Sequence, residues 1–371
     1  MKKVVALLMM LTFVFTLAAC QGGDGNEIAL ITDVGDIDDE SFNQGAWEGV
    51  EEYAEDNDIT YDYYKPSEES DSSYINAIEL AIDNGAEIVV TPGYLFERAV
   101  YEMQDEYPDV SFILLDAEPI DEDGNVEVAD NTVSVFYEEQ ESGFLAGYAA
   151  VKDGFTDLGF MGGYSVPAVI RFGVGYVAGA YYAAEEEDVS LSFPNDRYTY
   201  LDSFDPSDEI NNEAASWFSS DTEVIFSAAG GAGSSVMDAA EDEDAWMIGV
   251  DTDQSENSDK VLTSATKALA TSVQEMLGRY YDDDFPGGET IRLGADQDGV
   301  SLPMENSRFT NFDEDAYDAI YSEIADGTLD VPENYDELVD FFDENGLEEN
   351  ALNPDNEDDA DGIRRDNIIR E

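Results

Sequence analysis

The side chains that could do covalent chemistry are nearly absent from this chain. With no histidine and a single cysteine in 371 residues, it has no Ser-His-Asp or Cys-His nucleophile and no histidine-ligated metal. Acids are so abundant, 88 Asp and Glu, that chance carboxylate pairs are expected everywhere and none marks a general acid and base. The runs Asp121-Glu-Asp-Gly124 and Asp359-Ala-Asp-Gly362 lack the spaced ligands and closing acid of a calcium loop. Asp36, Asp38 and Asp39 read as a solvated acidic turn. Position is more informative than count: Asp33, Asp116 and Asp251 each follow an apolar strand-like run. In an open parallel sheet such strand ends rim one crevice, although any one of the three would serve equally as a cap or turn residue. With Phe42, Asn43, Phe172 and the glycine loop from Gly230 nearby, the group suits a neutral ligand with hydroxyl donors and a flat ring. Carboxylates accept from hydroxyls, an amide both donates and accepts, and a phenyl face stacks on an aromatic ring. A phosphate would be repelled. Gly230-Gly-Ala-Gly233 lacks the third glycine of a dinucleotide fingerprint and the Gly-Lys-Ser/Thr of a P-loop; a turn for close strand and helix packing is its competing reading.

The elements that would hold these residues alternate. Apolar runs at Ile28–Ile31, Ile59–Lys65, Glu87–Thr91, Val110–Leu115 and Thr132–Phe136 read as strands, separated by helical patterns beginning at Ser41, which can cap its helix, at Ser72 and near Phe96. Each strand-plus-helix step spans about 25 to 30 residues, the length of a βαβ unit. After a helix at Glu139–Lys152 the pattern restarts. Strands follow at Leu158–Met161, Tyr198–Leu201, Val224–Ser227 and Trp246–Val250, with helices at Pro167–Glu187, Pro206–Ser219 and Gly233–Ala240. A polar stretch Thr252–Lys260, a long helix around Ala265–Tyr281 and short strands at Thr290–Leu293 and Gly299–Leu302 complete the pattern. The expectation is an α/β protein of two Rossmann-like lobes with a hinge. Residues 27–136 plus about 262–288 form the N-terminal lobe, and 137–255 plus about 289–345 the C-terminal one, with a poorly ordered acidic tail at 346–371.

Lys2-Lys3 and the apolar run Val4–Ala19 read as an export signal, too short for a membrane span of about 20 residues. The signal, residues 1–20, ends Leu17-Ala-Ala-Cys20, similar to a lipobox, so Cys20 is the expected lipid-attachment site and residues 21–26 a flexible tether. An ordinary signal peptide with a chance cysteine is the plainer alternative. The expected location is the outer face of the cell membrane. A net charge of -73 excludes nucleic acid and anionic lipid surfaces as partners. Self-repulsion on this scale is screened within about 3 Å at molar salt, which points to a halophilic setting. An apolar fraction of 43% and an aromatic fraction of 12% supply the core that a disordered acidic chain would lack.

Several stretches taken together resemble the basic membrane protein family: residues 31–49 (ITDVGDIDDESFNQGAWEG), 89–99 (VVTPGYLFERA), 112–119 (FILLDAEP), 141–150 (ESGFLAGYAA), 171–180 (RFGVGYVAGA), 225–233 (IFSAAGGAG) and 246–254 (WMIGVDTDQ). That family comprises purine-nucleoside-binding lipoproteins serving ABC importers, with a type I periplasmic-binding fold. The resemblance covers about residues 27–330. It implies that Asp33, Phe42 and Asn43 hold the base, that Phe172 stacks on it from the other lobe, and that Asp116, Gly230, Asp251 and Lys267 contact the nucleoside. Without the resemblance, Lys267 would pass as an exposed helix residue. It further implies a monomeric binding protein with no cofactor, no metal and no catalysis, whose partners are a purine nucleoside and the permease and ATPase of an importer. The alternatives are the same fold binding a sugar or other small molecule, a surface receptor or regulator, and a carboxylate enzyme such as a nucleoside hydrolase.

Overall fold

The short apolar runs in the interior of each sheet become strands buried on both faces, as parallel sheets covered by helices require, while edge strands such as Tyr61–Tyr64 stay partly exposed. In the computed structural model, which describes residues 25–33, 35–347, 351–352 and 362–370, the first lobe begins with β1 (Ile28–Ile31), α1 (Phe42–Asp56), β2 (Tyr61–Tyr64) and α2 (Asp71–Asp83). It continues through β3 (Ile88–Pro92), α3 (Glu97–Glu106), β4 (Ser111–Leu115) and β5 (Thr132–Tyr137). The chain then crosses to the second lobe: α4 (Glu139–Asp153), β6 (Leu158–Gly162), α5 (Pro167–Glu187), β7 (Tyr198–Tyr200), α6 (Asp208–Phe218), β8 (Val224–Ala228), α7 (Gly233–Glu243), β9 (Trp246–Asp251) and β10 (Val261–Lys267). It returns for α8 (Leu269–Tyr281), which packs on α1, and for β11 (Thr290–Leu293). A third crossing leads to β12 (Val300–Ser301), α9 (Glu314–Ala325), α10 (Tyr335–Asn345) and the short α11 (Arg365–Ile368). The export signal and Cys20 lie outside the described residues.

The first sheet has the order β11-β5-β4-β3-β1-β2 and is parallel throughout. The second runs β12-β10-β9-β8-β6-β7, parallel except where β12 joins β10. All four residues of β1 are fully buried, and α1 turns Ala46, Val50 and Ala54 onto the sheet. The helices α4 and α5 pack with backbones almost touching. A Cβ at Gly175 would collide with the Gln140 carbonyl, and one at Gly143 with the Phe172 carbonyl. Only glycine permits that approach. No helix of the described residues is long and apolar enough to cross a membrane.

Three expectations are corrected. Val261–Lys267 is a strand of the second lobe, paired in parallel with β9, and the helix after it starts at Leu269 rather than Ala265. A buried run of small and β-branched residues carries no period that separates strand from helix, and pairing with β9 decided it. Thr290–Leu293 pairs with β5 and so belongs to the first lobe, not the second. The tail is not wholly loose: residues 362–370 dock beside β7, the edge of the second sheet. Ile363 and Ile368 are fully buried, Tyr200 donates to the Ile368 carbonyl at 2.6 Å, and Arg370 pairs with Asp202 at 2.9 Å. Two apolar anchors and a base on an acidic surface supply what the composition of the tail concealed. The helices α9 and α10, capped by Asp313 and Asn334, were not anticipated.

Candidate functional site

The carboxyl ends of both sheets face a single cavity of about 410 Å³ between the lobes, lined by all eight residues singled out from the sequence. That is within the range of small-molecule sites, roughly 300–1,000 Å³.

Lys267, the last residue of β10, is the centre of the cavity floor. Its ammonium lies 2.6 Å from Asp116 Oδ2, 3.1 Å from Glu139 Oε1 and 3.5 Å from Asp251 Oδ1. It is 7% exposed, not an exposed helix residue. Asp116 follows β4 and Asp251 ends β9, both with left-handed backbone, φ 55° and 66°. Aspartate tolerates this conformation better than most residues, and here it turns each carboxylate off its strand toward the same ammonium. Behind them Glu139, the first residue of α4, is fully buried and accepts from Arg171 Nε at 2.5 Å. Burial opposes its ionisation, but Lys267 and Arg171 override this and hold its carboxyl below the ordinary range. The same carboxylates hold the Lys267 ammonium well above its ordinary value against its burial. Asp116 is pushed up to about 7 by burial, reinforced by the Glu139 charge and opposed by Lys267. Its Oδ1 is buried with no hydrogen-bond partner among the described residues.

Two aromatic rings flank the ammonium, Phe42 from α1 at 4.8 Å and Phe172 from α5 at 5.2 Å, both measured to the ring centroid. The wall on the first lobe is a chain of amide and carboxylates. Asn43 donates to Asp33 Oδ1 at 2.9 Å and to Asp39 Oδ2 at 2.8 Å, and accepts from the Asp33 backbone at 3.3 Å. Its polar atoms are thus spent inside the protein, and it positions Asp33, which lines the cavity beside Gly93. Burial pushes Asp33 up to about 6, against the hydrogen bonds from Gly35 and Asn43. On the second lobe Gly230, with φ 54°, lets the loop before α7 lie flat against Phe204.

The structure changes two assignments on this wall. Ser41 does not cap α1 with its side chain; its hydroxyl donates across the cleft to Asp251 Oδ2 at 2.5 Å. Asp39 takes the capping role, accepting from the backbones of Ser41, Asn43 and Gln44. It is therefore not a solvated turn residue, and burial raises its carboxyl. Its neighbours Asp36 and Asp38 make no comparable set of bonds. The lobes are also tied by Thr252 and Gln254, which donate to the Glu40 carbonyl at 3.0 and 2.7 Å. No cluster of three or more acids able to hold a metal ion occurs among the described residues.

Glu139 and Arg171 were missed as part of the site. A signal existed: Arg171 is the only base in the otherwise apolar and acidic helix 167–187, and Glu139 opens a helix that is buried on nearly every face.

Residues 27–335 match the sequence model of a family described as Bmp, ABC transporter substrate-binding protein PnrA-like. Basic membrane protein A of Borreliella burgdorferi is 30% identical over 353 residues, covering 93% of this chain and 99% of that protein. The ABC transporter nucleoside-binding protein BmpA of Lactococcus lactis subsp. cremoris is 28% identical, covering 89% and 99%. Among solved structures, an ABC transporter solute-binding protein from Aeropyrum pernix K1 superposes with a TM-score of 0.71 at 19% identity, covering 86% of this chain and 97% of that one. The fold is the type I periplasmic-binding fold expected from the sequence.

Proposed function

Because the chain belongs to the Bmp family of PnrA-like ABC transporter substrate-binding proteins, we propose that it captures a purine nucleoside between its lobes and delivers it to the permease and ATPase of an importer. The observation that carries this reading is the floor of the cleft. Asp116 Oδ1 is a buried acceptor without a partner among the described residues, and Asp33 lines the same cavity as Phe42 and Phe172. Ribose hydroxyls and ring N–H groups are donors, and a base offers a flat face to phenyl rings. The name of the Lactococcus relative supports a nucleoside as the ligand. The surrounding carboxylates disfavour phosphorylated ligands. The protein performs no chemistry in this reading: closure about the three crossings sequesters the ligand, and the permease recognises the closed form. Cys20 carries the lipid that holds the monomer at the outer face of the membrane, and the acidic surface suits high salt.

Calorimetric titration of the exported chain with adenosine, guanosine, inosine, uridine and ribose, in molar KCl and in dilute buffer, tests the reading. One-to-one binding of a purine nucleoside without product formation is the expected result, with loss of fold in dilute buffer. Binding of ribose alone would move the assignment to a sugar receptor, and no heat from folded protein in molar KCl would refute nucleoside capture.

A further inference from the structure

Glu139 does not line the cavity. It is fully buried, and it touches two cations: Oε1 lies 3.1 Å from Lys267 Nζ, and Oε2 accepts from Arg171 Nε at 2.5 Å. It opens α4 directly after the first crossing between the lobes, where the helix N-terminus favours a carboxylate. Lys267 has three N–H donors and three carboxylates around it: Asp116 from the first lobe, Asp251 from the second, and Glu139 from the crossing.

We propose that Glu139 is a positioning residue of the cleft, holding the Lys267 ammonium so that Asp116 gives it one oxygen and keeps the other, Oδ1, for a ligand hydroxyl. The inference rests on the nucleoside reading for the ligand but on the unliganded geometry for the mechanism. Were Glu139 neutral, the ammonium would have one close carboxylate charge fewer and would turn toward both oxygens of Asp116 or further onto Asp251. In either case the free acceptor is lost or weakened, because an oxygen paired with an ammonium is a poorer partner for a hydroxyl. Arg171 balances the arrangement from behind. It saturates Glu139 Oε2 and keeps Glu139 from drawing Lys267 off the floor. The close packing of α4 on α5 at Gly143 and Gly175 brings the two side chains within reach. Asp116 thus senses Lys267 from β10, Glu139 from α4 and Arg171 from α5, while Asp251 of β9 acts on the same ammonium and the Tyr137 hydroxyl of β5 lies beside them.

The test pairs Glu139→Gln, which keeps shape and removes charge, with Arg171→Gln. In the full exported chain at molar KCl, the Asp116 carboxyl is followed by carbon NMR without ligand between pH 5 and 9, and inosine affinity is measured at pH 8. Glu139→Gln should move the Asp116 midpoint down from about 7 and weaken inosine binding about tenfold or more. Arg171→Gln should move the midpoint up. Opposite shifts in two folded variants are not produced by general loosening of the core. An unmoved Asp116 midpoint in folded Glu139→Gln, or unchanged inosine affinity in that variant, overturns the proposal. Should the parent protein bind no nucleoside, the functional reading fails while the Asp116 titration still decides the role of Glu139. Should Glu139→Gln not fold, the direction of the Arg171→Gln shift decides it, a downward or absent shift being the refutation.

Discussion

Replacing Lys267 by methionine removes the only cation among the described residues that touches Asp116, Glu139 and Asp251 together, and does so where the side chain is 3% exposed. At an effective dielectric constant near 20, separations of 2.6, 3.1 and 3.5 Å correspond to roughly 5–6 kcal/mol of gross attraction apiece. That sum is not the cost of the mutation, because carboxylates that lose their partner take up protons. A carboxyl that titrates near 4 in the unfolded chain is protonated at pH 8 for about 5 kcal/mol, at about 1.4 kcal/mol per pH unit. A loss of about 5 kcal/mol at pH 8 is therefore expected if Glu139, held ionised in the parent, is forced to keep its proton, in line with the roughly 3–5 kcal/mol typical of a broken buried pair; Asp116, already pushed up to about 7 in the parent, would add only about 1.4 kcal/mol. The sign follows from proton counting: the folded variant binds at least one proton more than its unfolded chain, so its stability falls as pH rises. In the parent, Asp116 titrates near 7 and is mostly ionised above pH 7.5, so the gap between the two proteins should widen by about 1.4 kcal/mol per unit from pH 7.5 to 9. Urea unfolding followed by tryptophan fluorescence in molar KCl measures it. A gap under about 1 kcal/mol, or one that does not change with pH, would refute the charge-centred account of the floor.

Other outcomes follow from single contacts. Asp33→Ala or Asp251→Ala should weaken nucleoside affinity at least about tenfold, or about 1.4 kcal/mol, with the fold intact; unchanged affinity in both variants on calorimetry would remove these residues from the site. Nucleoside affinity should also decline as pH drops through about 6, where Asp33 gains a proton and ceases to accept, and Asp33→Asn should lack that inflection in the same titration. Ser41→Ala deletes a bond across the cleft worth about 1 kcal/mol, and stopped-flow release of nucleoside should be about fivefold faster; a rate identical to the parent would show that this contact does not hold the lobes together. Ending the chain at Leu347 uncovers the edge strand β7 and removes the buried Ile363 and Ile368, each worth about 1.5–3 kcal/mol. A melting temperature equal to that of the full chain would mean that the docked segment adds nothing.

Much of the architecture was legible because it follows from local pattern. Ile28–Ile31, Leu158–Met161 and Pro167–Glu187 emerge where the sequence placed them, since short apolar runs and a proline at the first helical turn dictate their own structure. The aspartates at strand ends were legible for the same reason: in a parallel sheet, the residue after a buried strand faces the crevice. Lys267 entered only through family resemblance, and its strand was misread because a buried run such as Val-Leu-Thr-Ser-Ala carries no period of its own.

By itself, then, the sequence determined an α/β chain of two lobes, a site without nucleophile or histidine, and three carboxylates directed at one crevice. Those are properties of residue type and near neighbours. The partner of each charge was decided only by the tertiary structure. Glu139 meets Lys267 and Arg171, Ser41 leaves its helix cap for Asp251, and Asn43 turns inward to hold Asp33. Among 88 acids and 15 bases no pattern along the chain selects these pairs. They form because β10, α4 and α5 converge behind the cleft, where burial makes an unpaired charge too costly to leave alone.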